Sequence, residues 1–97
     1  MTAPAPRRPT PAATRTPETV YESLEDTLMR LHHLPIARTA AERQHYVTEL
    51  QKVTDLWWEL GTMVQPYAPK WALGAVMRCI SSSSLEVDQF REKWKIR

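Results

Sequence analysis

The feature that most constrains the fold is a regular apolar stripe between residues 46 and 64. Its members are Tyr46, Leu50, Val53, Trp57, Leu60 and Val64. When Trp57 is taken in place of its neighbour Leu56, the members are separated by 4, 3, 4, 3 and 4 residues. That spacing returns to the same side of an α-helix every seven residues. It predicts a long amphipathic helix that buries one side.

Local signals predict where this helix begins and ends. The segment "TAAE", residues 39–42, fits a capping box, in which Thr39 and Glu42 each accept a hydrogen bond from the other's amide. Gly61 lies inside the stripe and weakens a helix. We therefore expect the helix to end at Gly61 or to continue to Gln65, with Pro66 preventing any further extension.

An earlier helix is predicted from residue 17 to the histidines at 32 and 33. Thr16 suits the capping position, and Pro17 and Glu18 suit the first turn. Its apolar stripe consists of Tyr21, Leu24, Leu28 and Leu31. Pro35 ends it.

The C-terminal third predicts two more helices, 70–80 and 85–96. The segment "PYAP" forms a rigid connector before them, and the serines at 81–84 are expected to separate them and to cap the second. Val87, Phe90 and Trp94 share one face of that last helix. The predicted fold is thus all-α, a small bundle of about four short helices.

The first 17 residues differ in composition from the rest. They hold five of the chain's eight prolines and three arginines, with no acidic residue. Such a segment buries too little apolar surface to offset its conformational entropy. We predict a disordered basic tail over 1–17 and a single helical domain over 18–97.

Charge is divided between the ends and the middle of the chain. Residues 18–90 carry ten acidic and six basic side chains, whereas residues 91–97 carry four basic side chains and one acidic. The basic residues at the C-terminal end are candidates for contacts with phosphate or with an acidic partner. They are Arg91, Lys93, Lys95 and Arg97.

No sequence pattern indicates an enzyme. Cys79, the only cysteine, lies in an apolar segment without a neighbouring base, and the serine run lacks the glycines of a nucleophile elbow. We predict no catalytic residue, no cofactor and no resident metal. One cysteine forms no internal disulfide, and the most apolar stretch, "WALGAVMRCI", is too short to cross a bilayer. The expected location is cytoplasmic, and the Ala, Arg, Pro and Thr bias is typical of a GC-rich bacterium or its phage.

Two alternative functions follow from motifs. Segments 70–80 and 85–96 have the lengths of a DNA-binding helix-turn-helix, although Glu86 and Asp88 would repel phosphates where a recognition helix approaches DNA. More distantly, Glu42, His45 and Glu49 lie on one side of a helix, like half of a metal-binding carboxylate and histidine bundle.

The adjacent tryptophans at 57 and 58 favour a different role. Neighbours on a helix point about 100° apart, so Trp57 continues the apolar stripe as a core residue while Trp58 points elsewhere. Trp58 is then either covered by the next helix folding back or left to contact a partner, a role in which tryptophan is enriched. We predict a small non-enzymatic regulatory, adaptor or assembly protein that self-associates and binds protein through helical surfaces. The partner-binding candidates are Trp58, Trp71, Met77 and Trp94.

Overall fold

The computed structural model describes residues 15 to 96, which form three α-helices joined by two short connections. Helix α1 spans Pro17–His33, α2 spans Ala40–Val64 and α3 spans Lys70–Trp94. The all-α prediction is confirmed within these residues. Most of the predicted disordered tail, residues 1–14, lies outside the described residues, as does Arg97.

The start of α1 follows the local sequence signals. The Thr16 hydroxyl accepts a hydrogen bond from the Thr19 amide at 3.2 Å, and the Thr16 amide donates to the Thr19 hydroxyl at 2.9 Å. Pro17 occupies the first helical position, as predicted. The helix ends at His33 because Leu34, which precedes Pro35, adopts an extended backbone.

The start of α2 is the predicted capping box. The Glu42 amide donates to the Thr39 hydroxyl at 3.1 Å, and the Glu42 carboxylate accepts from the Thr39 amide at 3.0 Å. At its other end the helix runs through Gly61 to Val64. A Cβ added at Gly61 would lie 3.0 Å from Cγ1 of Val76 on α3. The glycine therefore lets the two helices approach closely where the chain has just turned back.

The prediction of two helices in the C-terminal third is wrong, because residues 70 to 94 form one continuous helix. Serine is only a moderate helix former and does not by itself break a helix. The Ser83 side chain is buried and hydrogen-bonds the Thr54 hydroxyl of α2 at 2.6 Å, so the serine run packs as part of the fold. A single seam with spacings of 4, 3, 4, 3 and 4 crosses the run: Val76, Ile80, Ser83, Val87, Phe90 and Trp94.

Helix α2 lies between the other two helices. Both α1 and α3 pack against it, and no Cα of α1 lies within 8 Å of a Cα of α3. A core formed by Val47, Leu50 and Val87 joins α2 to α3, while Val20 and Leu24 are the fully buried residues of α1. The described chain is thus an open layer of three helices. None of the three helices has the length and hydropathy needed to cross a membrane.

Candidate protein-interaction surfaces

The first candidate surface surrounds Trp58, near the turn between α2 and α3. Helix α3 folds back across the connector, yet the Trp58 side chain remains 52% exposed. It borders a shallow pocket of about 200 Å³ whose other lining residues are Gly61, Thr62, Gln65, Leu73, Val76 and Met77. We call Trp58, Leu73 and Met77 the Trp58 surface. Intramolecular packing has therefore covered only part of the indole.

The structure brings together two of the four predicted partner-binding residues. Met77, itself 50% exposed, lines the same pocket as Trp58. Trp71 is 76% exposed but is absent from that pocket. Met77 follows Trp71 by six positions, which places the two side chains about 120° apart around α3. Trp71 therefore belongs to a different face of the helix.

Trp94 lies at the opposite end of α3 and packs within the chain. Its ring centroid is 4.7 Å from that of Phe90 and 6.0 Å from that of Tyr46, and the Tyr46 and Phe90 centroids are 5.3 Å apart. The Arg43 guanidinium lies 5.7 Å from the Trp94 ring centroid, a cation–π distance. These three rings, here called the aromatic cluster, hold α2 and α3 together at that end.

The second candidate surface is a groove between α1 and α3. Because those helices stand apart, a groove of about 540 Å³ opens above α2. Its floor includes Leu50, Val53 and Trp57, which are members of the apolar stripe that predicted α2. Its other lining residues are Leu28, Ala75, Arg78, Cys79, Ser82, Ser83 and Glu86. The prediction that Trp57 is an enclosed core residue needs correction, since no third helix lies directly over it and it is only partly buried.

Glu49 forms the main polar connection between α1 and α2. Its carboxylate is buried and accepts hydrogen bonds from Lys52 Nζ at 2.8 Å and Arg30 Nε at 3.2 Å. The hydrogen bond from Lys52, and after it that from Arg30, holds the pKa of Glu49 below its usual value against the opposing effect of burial. Arg30 also donates to the Thr27 hydroxyl at 3.1 Å. This network fixes the position of α1 on α2.

The residues of the suggested metal half-site are directed to other partners. Amides of Arg38 and Thr39 donate to the Glu42 carboxylate and lower its pKa. Glu49 is engaged with Arg30 and Lys52, and His45 lines a separate cleft beside the α1–α2 connection. Within residues 15–96, no three His, Cys, Asp or Glu side chains are grouped as metal ligands would be.

The basic residues predicted for phosphate or acidic partners lie at the end of α3. Arg91 is partly buried, whereas Lys93 and Lys95 are exposed. Arg97 lies outside the described residues. The helix-turn-helix alternative requires a turn between 80 and 85, and the helix is continuous there.

The groove and the face of α3 that borders it were not predicted from the sequence. The signal was present: Trp71, Arg78 and Leu85 recur every seven residues and therefore lie on one side of a helix. It becomes visible only when α3 is one element, because a break at the serines separates Leu85 from the other two. Comparison of the chain with protein-family models, with curated proteins and with solved structures gives no match.

Proposed function

We propose that the protein is a non-enzymatic adaptor or assembly protein that self-associates and acts through helix-mediated protein–protein contacts. The observation that carries this proposal is the exposure of Trp58 beside Met77 after α3 has packed against α2. A tryptophan beside a methionine, bordering a shallow pocket, has the composition of an interface centre.

The energetics support a partner at this surface. Covering the exposed half of an indole removes roughly 100 Å² of apolar surface from water, worth about 2.5 kcal/mol. The core is small, since among residues 15–96 only Leu24, Val20 and Val47 are large side chains with less than 2% exposure. A domain of this size gains substantially from a partner that covers further apolar surface.

The arrangement of the two surfaces suits an adaptor. Trp57 lines the groove while Trp58 borders the pocket shared with Met77, so one turn of α2 contributes to both. The two side chains diverge by about 100°. A protein bound at the Trp58 surface would therefore leave the groove free for a second contact.

Truncation of Trp58 tests the proposal. We expect Trp58→Ala to weaken binding of a partner captured from the native host by about 2 kcal/mol or more, roughly 30-fold in affinity. The free energy of unfolding should fall by no more than about 2.5 kcal/mol, because only the covered half of the side chain contributes to the fold. Tyr67→Ala is the control, since Tyr67 is an exposed aromatic residue outside the pocket. Partner affinity follows from titration calorimetry and stability from urea denaturation.

Two results would contradict the proposal. If Trp58→Ala leaves partner binding unchanged and lowers stability by about 3 kcal/mol or more, Trp58 is a packing residue. Tight, sequence-selective DNA binding at physiological salt would instead favour the DNA-binding alternative, with affinity depending on Arg91, Lys93, Lys95 and Arg97.

A further inference from the structure

The outward face of α3 carries apolar side chains that nothing within the described chain covers. Trp71 is 76% exposed and Leu85 is 58% exposed. They lie two heptads apart on one side of the helix, with Arg78 between them. This ridge borders the groove, because Arg78 also lines it.

The wall that α3 gives to the groove is built from small side chains. Ala75, Cys79 and Ser82 lie along it, and the apolar floor beneath includes Trp57. Small side chains let a neighbouring helix approach to the lower end of the usual 8–10 Å interaxial distance. The groove therefore has the shape and the floor to hold a helix with an apolar ridge.

Two charged residues on the groove wall indicate which helix fits the groove and in which direction it runs. Arg78 and Glu86 both line the groove, four residues on either side of Ser82. If a second α3 lies antiparallel with the two serines at position 82 facing each other, Arg78 of each copy is opposite Glu86 of the other. A parallel arrangement would place Arg78 opposite Arg78. The charge pattern is thus complementary to itself about a two-fold axis, as an isologous dimer requires.

We propose that the protein forms a two-fold dimer in which α3 of each copy lies antiparallel in the groove of the other, with the axis at Ser82. Leu85 of one copy then lies opposite Cys79 of the other and covers the floor around Trp57, whereas Trp71 lies opposite Lys93 toward the far end of α3. This inference rests on the proposed self-association and specifies its geometry.

The serine run allows the axis to be located with single cysteines. In the full chain with Cys79→Ser, Ser82→Cys should form a disulfide-linked dimer on mild oxidation, because only a residue at the axis meets its own copy within disulfide distance. Ser81→Cys in the same background is the control, since Ser81 is also exposed but points about 100° away. We expect the Ser82→Cys dimer on non-reducing gels at least tenfold faster than the Ser81→Cys dimer.

A charge reversal tests the same arrangement without cross-linking. Arg78→Glu and Glu86→Arg should each raise the dimer dissociation constant about tenfold, because each puts like charges opposite one another at two symmetric places. The double variant should restore it to within about threefold of the original value. Sedimentation equilibrium measures the constant, and circular dichroism confirms that each variant is folded.

The outcomes separate this geometry from self-association in general. A dimer by sedimentation with equal cross-linking at Ser81 and Ser82, and no rescue by the double variant, would overturn the α3 arrangement while self-association stands. A monomer at every concentration tested would overturn both.

Discussion

The two ends of the α2–α3 pair carry similar residues in opposite states. At the packed end, the rings of Tyr46, Phe90 and Trp94 lie against one another. At the open end, near the connector, Trp58 and Trp71 remain half to three-quarters exposed. Aromatic content alone therefore does not decide where the core lies. What differs is whether another element supplies a side chain to cover each ring.

The chain after α3 adds a further apolar side chain to the packed end. Lys95 adopts a left-handed conformation with φ 57°, and the Ile96 amide donates to the Arg91 carbonyl at 2.8 Å. This helix-ending turn brings Ile96 back against the core of Val47, Leu50 and Val87. At the open end, the connector holds Pro66 and Pro69 and leaves Tyr67 69% exposed. The aromatic residues of α3 are therefore packed at its C-terminal end and exposed at its N-terminal end.

The largest expected effect contrasts one aromatic residue from each end. Phe90→Ala should lower the free energy of unfolding by about 3 kcal/mol, the low end for truncating a core aromatic because Phe90 is only partly buried. Trp71→Ala should change it by less than about 0.5 kcal/mol in the dilute monomer, since the indole is largely in water. Urea denaturation at low protein concentration measures both. Equal losses would show that the open end is closed in solution.

The sequence predicted what depends on neighbours along the chain. The Thr16 cap and the Thr39–Glu42 capping box depend on residues three apart, and the α2 stripe depends only on helical periodicity, so all three were predicted. The reciprocal hydrogen bond that Thr19 adds at the start of α1 was not predicted.

The break predicted at the serine run was wrong because that prediction rested on local propensity alone. The buried hydrogen bond between Ser83 and Thr54 joins residues 29 apart in the chain, so it could not be seen in the local sequence. The prediction that Trp57 is enclosed in the core was wrong for a related reason. A stripe specifies which side of a helix is apolar but not how far apart two neighbouring helices will stand above it.

The next expected effect concerns the Glu49 network, which joins α1 to α2 beside the packed end. The folded-state pKa of Glu49 lies below the ordinary 4.5, so its stabilising contribution is present above that pH and is lost as pH falls toward the folded value. Glu49→Gln should cost about 2 kcal/mol at pH 7, the scale of hydrogen bonds to a buried charge. The difference from wild type should shrink as the pH falls below 4.5.

A control on α1 isolates that pH dependence. Glu22 is an exposed carboxylate, and Glu22→Gln should change the unfolding free energy by less than about 0.5 kcal/mol at pH 7. Urea denaturation at several pH values between 3 and 7 gives both profiles. If Glu49→Gln matches wild type throughout, the network contributes nothing to stability and apolar packing alone holds α1 on α2.

The smallest expected effect lies midway between the two ends, at the buried hydrogen bond between Thr54 and Ser83. Ser83→Ala and Thr54→Val should each cost about 1 kcal/mol, because each leaves the other hydroxyl buried without its partner. The double variant should be close to wild type, since neither polar group then remains, so the double-mutant cycle should give a coupling of about 2 kcal/mol in magnitude. Ser81→Ala corrects for the higher helix propensity of alanine at an exposed position of the same run. Coupling near zero would mean that the serine run contributes to α3 only as a helix former.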